Sequence, residues 1–147
     1  VGRKMRKGSG ALFMAWLKEF NEELDAARDI DELAGVITSM EKARDSLSAS
    51  AMHLGGLAMQ GKLLGAMLQA SPFLDQFGGV LLSQYALNQA RIANGKLAGA
   101  SGEELRFYRT KILNAQFYAA QVLPQTIARG KSIRSDDESC LDDALFG

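Results

Sequence analysis

His53 and Cys140 are the only imidazole and the only thiol in 147 residues, and they limit the chemistry open to the chain. One cysteine builds neither a disulfide framework nor a multi-thiolate metal site. One histidine excludes His-pair metal centres, including the paired Glu-x-x-His motifs of di-iron bundles. Any Ser-His-Asp or Cys-His nucleophilic set would have to use His53. That residue lies between Met52 and Leu54 in an apolar stretch, whereas Cys140 falls in the terminal segment. Carboxylates pair at Glu22-Glu23 and Glu103-Glu104, but near expected helix ends or polar faces. There, Glu103 and Glu104 serve a cap and the helix dipole. No strand precedes a glycine-rich phosphate loop. The residues therefore nominate no catalytic, cofactor-binding or metal-binding side chain.

The elements around these residues are expected to be helices. The chain holds 21 Ala and 20 Leu against 13 Val, Ile and Thr together, with 2 prolines. Ala and Leu lose little freedom in a helix, and β-branched residues suit sheets. The class is all-α. Lys+Arg and Asp+Glu are 17 each, so no general field draws the chain to nucleic acid or an anionic membrane. Arg3, Lys4, Arg6 and Lys7 form a short basic segment, and the chain opens on Val1, which reads as an excised piece, a processed product or a trimmed part of something longer. No apolar run follows that resembles a signal peptide, and none reaches the roughly 20 apolar residues of a membrane span.

Spacing predicts a four-helix up-down bundle over residues 9–135, with long second and fourth helices. The first, 9–28, is capped by Ser9 and stacks Phe13, Trp16, Leu17, Phe20, Leu24 and Ala27 on one face. Asp29 and Glu32 have capping-box spacing and open a second helix over 31–70. Within it, Gly55-Gly56 marks a candidate kink, and Gly61-x-x-x-Gly65 a close helix contact. Ser71-Pro72 starts the third helix, 72–97, with Gly78-Gly79 as a tight contact. Ser101-x-x-Glu104 reads as a capping box for the fourth, 102–135, which Pro124 must kink or break. Residues 136–147 form an acidic tail that is mobile or docks by Leu141, Leu145 and Phe146.

From Ser46 to Ala90 only Lys62 and Asp75 are formally charged. So much apolar surface on a small bundle points to a partner. The candidate interface is Leu57, Gly61, Leu64, Gly65, Leu68, Phe77, Leu81 and Tyr85.

Helix four reads Phe107-Tyr108-x-x-Lys111-x-x-x-Ala115-x-Phe117-Tyr118-Ala119-x-x-Val122-Leu123-Pro124. It resembles the end of the extra C-terminal helical domain carried by one branch of the acyl-CoA dehydrogenases. Val1-Gly2-Arg3-Lys4 resembles the junction with the catalytic body, making residues 1–8 a basic linker. Ser71-Pro72-Phe73-Leu74 with Phe77-Gly78 resembles the start of that domain's third helix. The resemblance implies a cytoplasmic parent enzyme that uses FAD to oxidise an acyl-CoA thioester to the 2,3-enoyl-CoA. Its catalytic glutamate and flavin site belong to the upstream body, and no residue here corresponds to them. This chain would itself bind no cofactor. Its partners would be that body and further copies in a homo-oligomer, with acyl-CoA met through the parent. An independent helical protein-interaction module, or a bundle holding a small molecule in an apolar cavity, are the alternatives.

Overall fold

The computed structural model describes residues 2–142, with side chains from Gly10 onward. The described residues are helical, without a strand: α1 (Gly2–Ala26), α2 (Ala34–Met59), α3 (Leu63–Leu68), α4 (Ala70–Lys96), α5 (Gly102–Gln121) and α6 (Leu123–Ile133). Short 3-10 turns cover Asp31–Leu33, Leu97–Gly99 and Ser139–Leu141. The all-α class stands. The count of four helices does not: five helices of 11 residues or more and one of 6 make up the fold.

Two residues account for the extra ends. Gly61 takes φ +79°, a left-handed conformation that glycine adopts without penalty. Its N–H bonds the carbonyl of Ala58 at 3.3 Å, and the N–H of Lys62 bonds that of Leu57 at 3.0 Å. This is the paired closure of a Schellman stop, so the expected 31–70 helix ends at Met59. Gly61 thus terminates a helix and packs against nothing. Pro124 makes the second break. It cannot donate to the carbonyl of Ala120, so α5 ends at Gln121 and α6 restarts with Pro124 in its first turn. Gly55-Gly56 leaves α2 uninterrupted.

The predicted caps are replaced by longer ties. α1 begins at Gly2, since Arg, Lys and Met favour helix, and Ser9 lies inside it. Ser71 likewise lies within α4, with Pro72 in the first turn, where its missing N–H costs little. Ser101 stands at the N-cap of α5 without a side-chain bond, and Glu104 instead accepts a bond from the Tyr108 hydroxyl at 3.0 Å. Glu32 joins no capping box: its two carboxylate oxygens accept from Arg109 at 2.9 and 2.8 Å, tying the 3-10 turn to α5.

The core runs through Phe20, Leu24, Leu33, Met40, Leu47, Leu87, Ile112 and Leu123, all essentially withdrawn from water. Each such side chain contributes about 1.5–3 kcal/mol of burial. α4 packs against α1, α2, α5 and α6, and buries Gln76, Val80, Ser83, Gln84, Leu87, Ala90 and Ala93. The α4–α6 contact is close at Gly79, where an added Cβ would meet the Thr126 hydroxyl oxygen at 2.5 Å. The Tyr118 hydroxyl donates to the Gly79 carbonyl at 2.8 Å. Residues 136–138 of the acidic segment lie against the bundle: Asp136 meets His53, and Glu138 lies against Gly65. Asp143, Leu145 and Phe146 lie outside the described residues.

Candidate functional site

Near their connecting turn, α1 and α2 are tied. Arg28 donates to Glu41 at 2.8 Å and Arg44 to Asn21 at 2.7 Å, in the register of antiparallel helices. Away from that turn a groove lies between the two helices. α1 presents Gly10, Leu12, Phe13, Met14, Trp16 and Leu17, and α2 presents Ser48, Ala51, Met52, Leu54 and Gly55. Each set includes positions at i, i+3, i+4 and i+7, the spacing of one helix face. The groove has a volume of about 790 Å³ and is closed at one side by Phe73, Leu74 and Phe77 of α4. None of its lining residues is charged.

The groove floor is firm. Trp16 packs on Phe77 at 4.8 Å and on Phe20 at 5.2 Å between ring centroids, and Phe13 reaches Phe77 at 6.3 Å. The indole N–H of Trp16 donates to the side-chain amide oxygen Oε1 of buried Gln84 at 2.8 Å. The rim is open: Met52 is 78% exposed, Leu12 73% and Leu74 69%. Large apolar side chains held this far into water around a concave, uncharged surface mark a binding surface.

Residues capable of chemistry are placed elsewhere. His53 is half-buried at the α2–α6 junction, with Nε2 3.0 Å from the Asp136 carboxylate but off the line of a hydrogen bond. Around the pair, Leu57, Gly65, Gln69, Ile133, Asp137 and Glu138 enclose only about 10 Å³. That is the room of about one water. Asp137 is held below the usual carboxylate range by hydrogen bonds from Ser139, whose backbone N–H lies at 3.0 Å. Cys140 is exposed. Among the described residues no three His, Cys, Asp or Glu side chains cluster to hold a metal ion, and no helix is long and apolar enough to cross a membrane.

The expected interface residues divide. Leu64, Leu68, Gly61 and Tyr85 are open to solvent, Leu57 and Leu81 are half-buried, and Gly65 is buried against Leu57 and Glu138 of its own chain. Phe77 alone reaches the groove, as part of its floor. Spacing places Phe13 to Ala27 on one helix face without separating its covered half from its open one. Its upper half, Phe13 to Leu17, lines the open groove. The signal was the facing set Ser48, Ala51 and Gly55, small residues at helix-packing spacing beside Met52 and Leu54.

This architecture has known relatives. The chain belongs to the family described as acetyl-CoA dehydrogenase C-terminal like, whose family model matches residues 13–143. A butyryl-CoA dehydrogenase from Syntrophomonas wolfei subsp. wolfei is 27% identical over 144 residues, covering 97% of this chain and 23% of that relative. The chain therefore spans about a quarter of the length of the curated relative it matches.

Proposed function

We propose that this chain is a non-catalytic helical domain of an FAD-dependent acyl-CoA dehydrogenase-like enzyme. There it packs against the catalytic body, supports subunit assembly and shapes access to the acyl-CoA site, in a cytoplasmic setting. The observation that carries this reading is the family match across residues 13–143, set beside a dehydrogenase relative about four times longer. The chemistry of the groove supports it, since its lining offers apolar contact and no acid–base pair. The groove does not suit the flavin itself. Its diphosphate needs charged or backbone donors, and the groove is lined by apolar side chains with Ser48 as the one hydroxyl. The flavin belongs to the preceding polypeptide, as does the base that removes the α-proton.

The test compares the natural full-length polypeptide with the 147-residue chain. The full-length protein should purify with flavin absorbance and reduce an electron acceptor with butyryl-CoA, while the 147-residue chain does neither. Thioester oxidation or tight flavin binding by the short chain overturns the reading. Sedimentation of the full-length protein and of a form lacking residues 10–142 checks the assembly role. Identical oligomeric states would remove it.

A further inference from the structure

The α1/α2/α4 groove has the dimensions of a missing helix. Its two long walls are helix faces, and both point into space that no element among the described residues fills. A volume of about 790 Å³ corresponds to about two turns of a helix roughly 10 Å across. Ser48, Ala51 and Gly55 keep the α2 wall low, so that an incoming backbone can approach closely, while Met52 and Leu74 stand at its edges as anchors.

We propose that this groove seats an apolar helix of the catalytic body that precedes the domain, an assignment that rests on the function proposed above. Two features favour that occupant over a second copy or an unrelated protein. The groove is lined by Gly10 and Leu12 in the N-terminal half of α1, the side from which, on the function proposed above, the catalytic body leads into the domain. A tethered neighbour there is present at millimolar effective concentration, so a groove of modest area suffices to hold it. In addition, the family match is to a C-terminal domain, and about three quarters of the relative lies outside the matched region. The lining carries no charge, so the occupant's contacting face is Leu-, Ile-, Phe- or Ala-rich, in the manner of a helix laid in a groove.

Thiol protection tests the seat. Met52→Cys, Leu74→Cys and, as a control on another exposed surface, Phe117→Cys are each made in a Cys140→Ser background. They are introduced into both the natural full-length polypeptide and the 147-residue chain. Labelling by a soluble maleimide is followed by peptide mass spectrometry. The expected result is labelling slowed about tenfold or more at 52 and 74 in the full-length protein, with 117 labelled equally in both. Equal labelling at 52 and 74 in the two forms overturns the proposal. So does protection in the short chain that disappears on dilution, which would make a second copy the occupant. The flavin content of the full-length protein reports separately on the underlying functional reading, so a flavoprotein whose groove labels freely rejects the seat alone.

Discussion

Residues 46–55 of α2 face two different surroundings. Towards α6, Ser46, Ser50 and His53 meet a closed polar junction. Arg134 donates to the Ser46 carbonyl and the Ser50 hydroxyl, each at 2.8 Å, and the buried Gln76 amide donates to the Ser46 hydroxyl at 3.1 Å. Towards α1, Ser48, Ala51, Met52 and Gly55 look into an open apolar groove. The closed face uses directional bonds that fix how α2, α4 and α6 cross. The open face offers only area, which any helix of matching shape can cover. A domain built this way holds itself together on one side of α2 and leaves the other for a neighbour.

The largest expected effect tests the closed face. Gly130 sits where an added Cβ would overlap the Ser46 hydroxyl oxygen and the Gln76 amide nitrogen. Both atoms are held by hydrogen bonds and cannot step aside freely. Gly130→Ala should cost about 1–3 kcal/mol despite alanine's better helix propensity. A thermal melt checks this, with each kcal/mol lowering Tm by roughly 2–4 °C. An unchanged midpoint would mean that the junction is loose.

Trp16 spans both regimes, with its ring in the groove floor and its N–H committed to Gln84. Trp16→Phe should cost about 1–2 kcal/mol, chiefly because it leaves a buried Gln84 oxygen without a donor. Adding Gln84→Leu should return part of that loss. Failure to recover any stability in the double variant would assign the cost to lost ring area instead.

The Tyr118 bond to the Gly79 carbonyl supplies a smaller effect with a pH signature. Tyr118→Phe should cost about 1 kcal/mol at neutral pH. Burial raises the Tyr118 phenol above its ordinary value, so the folded protein resists its ionisation more than the unfolded chain does. This contribution is whole below about pH 10 and is lost as pH rises through the folded value. Alkaline melts should therefore fall more steeply for the natural chain than for Tyr118→Phe.

Helicity was readable from the Ala and Leu content, and the core stripe from spacing at Phe20, Leu24 and Ala27. Pro124 announced its own break. Gly61 did not, because a glycine inside an apolar run has the same sequence signature whether it admits a neighbour or stops a helix. Glu32 and Glu104 carried capping-box spacing, but the pattern does not reveal that Arg109 and Tyr108 compete for the same carboxylates. The groove escaped for a related reason. Periodicity says which residues share a face, and Phe13 to Leu17 continue the face of Phe20 without a change of pattern. Only the tertiary placement of α1 beside the groove separates covered from uncovered.

The smallest expected effect is the most telling about the open face. Met52→Lys replaces a side chain that is 78% exposed and makes no contact on which the bundle depends. In the 147-residue chain it should move stability by no more than about 0.5 kcal/mol, read from a urea or thermal transition. Ser50 lies two residues earlier and fully buried, so Ser50→Lys would force a cation against Arg134 and should prevent cooperative folding. If Met52→Lys proved as damaging as Ser50→Lys, the groove would be part of the domain's own core, closed in solution by movement of α1 onto α2. The division of α2 into a self-sufficient face and a shared one would then fail.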